Sequence, residues 1–116
     1  EKLSAKYNFE CSLVNVRFVK PLDLELLIKH ASSHDFIVTL EDNALMGGLG
    51  SAIMESLQAN DLQVPVKCFG WPDTFISHGS SVQELRTKYD LDDQSIVTSI
   101  ESFLNNRQKS SNRAIA

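Results

Sequence analysis

The sequence contains no apolar run near the ~20 residues that a bilayer-spanning helix requires, and no stretch reads as a signal peptide. Basic residues are the minority, 11 against 15 acidic ones, and the net charge of −4 argues against nucleic acid or an anionic membrane as a partner. The one basic cluster, Arg107, Lys109 and Arg113, falls in a polar stretch and reads as solvated. The two cysteines, Cys11 and Cys68, do not make a disulfide framework; both lie in apolar, strand-like segments and read as buried thiols of a reducing, cytoplasmic compartment. No lysine follows the glycine cluster at 47–50, which excludes a P-loop, and the absence of G-x-S-x-G excludes a nucleophile elbow. There is no internal repeat.

With 116 residues and 42% apolar content, the chain is long enough for one domain with its own core. Its most informative stretch runs from Phe36 to Leu57. Phe36-Ile37-Val38-Thr39-Leu40 is a β-branched apolar run that reads as a buried strand, and Glu41 and Asp42 follow it at once. Gly47, Gly48 and Gly50 then make a turn into a helix carrying Leu49, Ile53 and Leu57 at helical spacing, closed by Asn60 and Asp61. Strand, acidic corner, glycine turn and helix make half of a βαβ unit, and ligands or partners gather at such strand ends.

Before this unit, Cys11–Phe18 reads as a strand with Val14, Val16 and Phe18 on one face, ended by Pro21. Asp23 is the expected N-cap of a helix with a Leu24, Leu27, Ile28 and Ala31 stripe, whose last turn holds His30 and His34. After it, Val64–Phe69 reads as a third strand, Gly70–Asp73 as a turn, and Thr74–Gly79 as a loop anchored by Phe75 and Ile76. A capping box, Ser80 with Gln83 or Ser81 with Glu84, starts a helix that turns Val82, Leu85 and Tyr89 inward. Asp92 or Asp93 caps a last helix with Ile96, Ile100, Phe103 and Leu104 on one face. The expectation is an α/β fold on a mainly parallel sheet covered on both faces, with the domain over 1–107 and a disordered polar tail over 108–116. Leu3 and Tyr7, four apart, read as a helix already under way at Glu1, as expected of an N-terminally truncated fragment.

Each candidate for chemistry has a plainer alternative. Gly48-Leu49-Gly50 begins like a dinucleotide fingerprint, but Ile53 stands at the third glycine, and Glu41 and Asp42 would repel a phosphate; tight helix–sheet packing is favoured. Glu41 and Asp42 could form a metal or general-base pair, yet adjacent strand residues point to opposite faces. One carboxylate capping the glycine turn and one solvated is the better reading. His30 and His34 have zinc-ligand spacing without the intervening glutamate of a metalloprotease. His78, near Asp73 and Ser77, reads as a loop or interface residue.

Three stretches together resemble the 1-deoxy-D-xylulose-5-phosphate synthase family. Arg17-Phe18-Val19-Lys20-Pro21-Leu22-Asp23 resembles its R-F-x-K-P-L-D corner, and Val38–Asn43 with Met46–Ser51 resembles its V-T-x-E-[ED]-N … G-G-x-G-S segment. Gly70–Ile76 with His78-Gly79 resembles its G-[LI]-P-D-x-F-[IV]-x-x-G loop; Trp71 replaces an aliphatic residue, and Asp90 replaces the glycine of G-L-D. The glutamate and double glycine also recur in C-terminal domains of transketolases and pyruvate dehydrogenase β subunits. The resemblance covers roughly residues 3 to 105 and implies a transketolase C-terminal-type, three-layer α/β/α sandwich, here lacking its first strand and so leaving Phe36–Glu41 as an edge.

It also implies a whole enzyme that joins pyruvate to glyceraldehyde 3-phosphate with loss of carbon dioxide, on thiamine diphosphate and magnesium, toward isoprenoid, thiamine and pyridoxal synthesis. The family's cofactor and catalytic motifs fall outside this chain, so no catalytic, cofactor or metal residue carries over, and an inactive assembly domain is expected. Its partners would be the preceding domains and a second subunit of a homodimer. The residues implied as domain contacts or structural supports are Arg17, Lys20, Pro21, Asp23, Glu41, Asp42, Asn43, Gly47, Gly48, Gly50, Pro72, Asp73 and His78. The alternative is a free-standing small-ligand or receiver-like α/β module.

Overall fold

The computed structural model describes residues 2–7 and 10–113. In chain order these form α1 (Lys2–Tyr7), α2 (Leu24–Ser33), β1 (Ile37–Ala44), α3 (Leu49–Ala59), β2 (Val66–Trp71), α4 (Val82–Lys88) and α5 (Asp93–Arg113). β1 and β2 are parallel, in register from Ile37 opposite Val66 to Leu40 opposite Phe69; the ladder is then irregular until Ala44 meets Trp71. α3 supplies the crossover that a parallel pair requires.

Strand parity decides which side chains meet which helix. Ile37 and Val66 pack onto a core of Ala31 from α2 with Ile53 and Leu57 from α3. Thr39 and Cys68 lie on the same face, where both approach Gly50 of α3. On the opposite face Phe69 is buried, and α5 packs against β2 with its Ile100 buried. Phe36 meets Phe103 edge-on at 5.8 Å. Helices thus lie on both sides of the sheet, as the α/β/α expectation required. Lys6 of α1 reaches Glu101 of α5 at 2.9 Å, and that hydrogen bond raises the ammonium above its ordinary pKa. The pair is solvent-exposed and contributes little to stability.

Helix starts follow the local signals. Asp23 accepts from the amide of Leu26 at 3.0 Å, Ser81 and Glu84 form the reciprocal capping box, and Asp92 accepts from Gln94 and Ser95. Asn60 closes α3, and His34 ends α2.

Several expectations are corrected. Residues 10–18 form no strand, and Leu13, Val14 and Phe18 are exposed; a strand needs a ladder partner, and among the described residues the sheet is β1 and β2 alone. Cys11 is exposed for the same reason, and Cys68 is only half-buried. β1 continues through Asp42 and Asn43 to Ala44. β2 starts two residues later than Val64 and takes in Gly70 and Trp71, which had read as turn. Pro65 precedes β2, where its carbonyl accepts from Ile37 at 2.9 Å. Phe75 anchors nothing and is fully exposed; Leu24 and Val82 also face solvent. α5 runs past 107 to Arg113, over residues with adequate helix propensity such as Arg107, Gln108 and Lys109; positions 114–116 lie outside the described residues.

Candidate functional site

The C-terminal end of β1 turns sharply into α3, and Glu41 organises the turn. By parity Glu41 continues the Ile37–Thr39 face and so points toward α3. Its two carboxylate oxygens accept from the amides of Leu49, at 2.7 Å, and Gly50, at 3.1 Å. These are among the first amides of α3, which have no partner within their own helix. Gly48, the N-cap residue, has no side chain to satisfy them. Glu41 therefore caps the helix from a strand eight residues upstream, and its charge suits the positive end of the helix dipole.

The glycines follow from this contact. A Cβ on Gly48 would collide with the Glu41 carboxylate and come within 2.6 Å of the Ala44 carbonyl. A Cβ on Gly50 would meet the Cys68 sulfur at 2.6 Å and the Thr39 hydroxyl at 3.2 Å. Gly47 differs: open space surrounds it, but its φ of 75° is the left-handed conformation that L-residues resist. Ser51 finishes the turn, accepting from the amide of Gly47 at 3.1 Å and donating to the Leu45 carbonyl at 3.2 Å.

Asp42 points the other way. It is exposed, accepts from the indole N–H of Trp71 at 2.7 Å, and faces the guanidinium of Arg86 at 3.4 Å. Trp71 in turn meets Tyr89 edge-on at 5.8 Å. The two adjacent carboxylates thus serve different neighbours, in agreement with the reading in which one of them caps the turn. An open cleft of about 410 Å³ lies beside them, lined by Val16, Val19, Leu40 through Asn43, and Gly47 through Leu49.

Of the residues singled out from the sequence, this turn gathers Glu41, Asp42, Asn43, Gly47, Gly48 and Gly50. Asp23 is a helix cap on α2, remote in role from the turn. Arg17, Lys20 and Pro21 are exposed on the segment leading to α2, with a cis peptide bond between Lys20 and Pro21. Pro72, half-buried, and Asp73 and His78, exposed, belong to the loop after β2. His30 and His34 lie ring to ring at 5.1 Å, and His34 bonds the carbonyl of His30 and the hydroxyl of Ser12, at 2.9 and 3.0 Å. Among the described residues no group of three or more metal-ligating side chains occurs.

Sequence reasoning missed four participants. Gly70 read as turn, but its missing Cβ leaves room for Glu41 Cγ and the Asn43 carbonyl, each 2.9 Å from where that Cβ would stand. Arg86 and Tyr89 join Asp42 and Trp71 across long sequence separations, for which no local signal exists. Thr39 is 3% exposed, with a hydroxyl that has no partner.

The chain is 53% identical over 77 residues to 1-deoxy-D-xylulose-5-phosphate synthase of Methylobacillus flagellatus, covering 66% of this chain and 12% of that protein. It is 44% identical to the enzyme of the same name from Shewanella putrefaciens, covering 88% of this chain and 16% of that one. For the Pseudoalteromonas translucida enzyme the identity is 49%, with 81% and 15% covered. The chain therefore spans less than a fifth of the length of these relatives. A solved structure described as a split-gene transketolase, an inactive β4 tetramer, superposes with a TM-score of 0.72 at 32% identity, over 87% of this chain and 32% of that one. The family model for the transketolase C-terminal domain matches residues 1–99, and the chain belongs to that family.

Proposed function

We propose that this chain is the non-catalytic C-terminal assembly domain of a cytoplasmic, thiamine-diphosphate-dependent 1-deoxy-D-xylulose-5-phosphate synthase. The whole enzyme joins pyruvate to glyceraldehyde 3-phosphate with loss of carbon dioxide and works as a homodimer. The identity of 42–53% to enzymes of that name, extending through the transketolase-type domain, supports the assignment of the parent enzyme.

One observation carries the non-catalytic role: Glu41 already holds the amides of Leu49 and Gly50 with both oxygens. A carboxylate that caps a helix start with both oxygens serves the geometry of the turn, which supports a structural role for it. Thiamine diphosphate does not fit the turn. A diphosphate would displace Glu41 from the helix N-terminus and lie against the charge of Asp42. The same engagement disfavours a free-standing ligand-binding or receiver-like module, which needs unoccupied carboxylates at the strand end. The cleft beside the turn and the loop after β2 are then contacts with the rest of the enzyme.

Two measurements test this reading. Calorimetric titration of the chain with thiamine diphosphate and magnesium should show no saturable heat; micromolar binding overturns the non-catalytic role. Grafted in place of the corresponding domain of the Shewanella putrefaciens enzyme, this chain should support product formation that the domain-deleted enzyme lacks. A folded but inactive chimera would argue against the parent assignment.

A further inference from the structure

We propose that residues 80–90, which contain α4, form a hinged flap latched onto the end of the sheet by Asp42, Trp71, Arg86 and Tyr89. Four observations converge on it.

The segment is hydrogen-bonded within itself. Ser81 and Glu84 cap each other, Leu85 donates to Ser81, and Tyr89 to Leu85; the Leu91 amide, on the Arg86 carbonyl at 2.8 Å, crosses the C-terminal boundary of the segment. No side chain of α4 is buried. Segments with few buried apolar contacts open locally at a lower free energy than the core they rest on.

The tethers converge at one place. Arg86 bonds Asp42, and Tyr89 lies edge-on against Trp71, whose indole N–H is itself held by Asp42. Asp42 thus secures the strand-end tryptophan and the helix together.

Both ends carry residues suited to a pivot. Gly79 has φ of 107° with nothing near a Cβ, and Asp90 has φ of 58°. Hinges are a few terminal or loop positions that absorb backbone rotation while the segment between moves as a body. Between them the capping box keeps the helix intact when the latch opens.

The opening has a place to be felt. The loop 72–79 joins Trp71 to the flap and holds out the fully exposed Phe75. Releasing the latch frees the far end of that loop, at Gly79, while Trp71 still holds its start. The flap is thereby a device that fixes or frees the loop, independent of which partner the loop meets.

Amide hydrogen exchange of the whole chain, followed by mass spectrometry with the emission of its single tryptophan, Trp71, tests the inference. In the unsubstituted protein, amides of residues 85–89 should exchange at least about tenfold faster than those of α3 and β2. Asp42→Ala should accelerate 85–89 by about threefold and red-shift Trp71, leaving α3 unchanged. Arg86→Gln, which leaves β1 and the indole bond intact, should accelerate the same amides less and leave the emission in place. Equal exchange of α4 and α3 in the unsubstituted protein would overturn the flap. So would an Asp42→Ala protein in which every segment accelerates alike, or one in which residues 85–89 do not change. If Asp42→Ala fails to fold, the unsubstituted protein and Arg86→Gln decide.

Discussion

Residues 37–50 and residues 10–21 start from similar material and end differently. Both hold a β-branched, apolar run followed by a charged corner: Ile37-Val38-Thr39-Leu40 before Glu41, and Leu13-Val14-Asn15-Val16 before Arg17. The first run lies in a parallel ladder against β2, and its corner is fixed by hydrogen bonds to α3. The second forms no strand, and Leu13 is 95% exposed and Phe18 71%. Composition makes a segment fit for a strand, but only a partner makes it one, because each extended residue brings a donor and an acceptor that need a ladder. Where the partner is present, stability concentrates at the turn. Where it is absent, the residues contribute little.

The comparison breaks most severely at Gly48. Gly48→Ala should cost about 3 kcal/mol, since the new methyl meets the Glu41 carboxylate and the Ala44 carbonyl together and the packed turn cannot yield. Urea denaturation measures it; a loss below about 1 kcal/mol would show that the turn relaxes freely. Glu41→Ala follows, at about 2 kcal/mol, because it leaves two amides at the start of α3 without their acceptor. The double variant should lose less than the sum, since removing the carboxylate removes one of the two clashes. Strict additivity would mean that Glu41 and Gly48 do not constrain each other.

How much of this was legible depends on how far apart the interacting residues stand. Asp23 with Leu26, Ser81 with Glu84, and Asp92 with Ser95 are caps spanning three residues; the sequence announces the first outright and each of the others as one of two neighbouring alternatives. A carboxylate cap for the glycine turn was legible, but not which of Glu41 and Asp42 supplies it; the structure gives the role to Glu41, on the face of Ile37 and Thr39. The partners of Asp42 were not legible at all, since Trp71 and Arg86 lie 29 and 44 residues away. The strand expected at Cys11–Phe18 failed for the reverse reason: the local pattern is sound, but pairing is a property of the neighbour. The anchor role given to Phe75 failed likewise, because an apolar side chain in a loop says nothing about the surface it would need.

Gly47 sharpens the contrast between backbone and packing. Its Cβ would meet nothing, so Gly47→Ala should cost only the penalty of φ at 75°, about 1 kcal/mol, a third of the cost at Gly48. A larger loss at 47 than at 48 would invert the account of the turn. In the unpaired segment, Leu13→Ser should stay within about 0.5 kcal/mol of the parent in the same assay, as befits an exposed side chain. A loss like that of a core leucine would mean that residues 10–18 are held against the domain after all.

Acid gives the smallest effect and separates the turn from the helices downstream. Glu84 ionises below its ordinary range because the Ser81 amide, and then the Ser81 hydroxyl, donate to its carboxylate. Asp92 does so because the Ser95 hydroxyl, and then the Ser95 amide, donate to it. A carboxylate that releases its proton more readily when folded leaves the unfolded chain binding more protons through this range, so stability rises with pH there. The contribution is complete above about pH 5 and fades as pH falls through about 4 toward the lowered folded values. Both groups lie at the surface, where solvent screens them, so the global unfolding midpoint should move little on their account. The loss should appear at the starts of α4 and α5 as faster exchange at Glu84 and Ser95, after correction for the intrinsic pH dependence of exchange. Glu84→Gln should remove the acid sensitivity at α4 and leave that at α5. If the two helices lose protection together in that variant, the caps are not what acid releases.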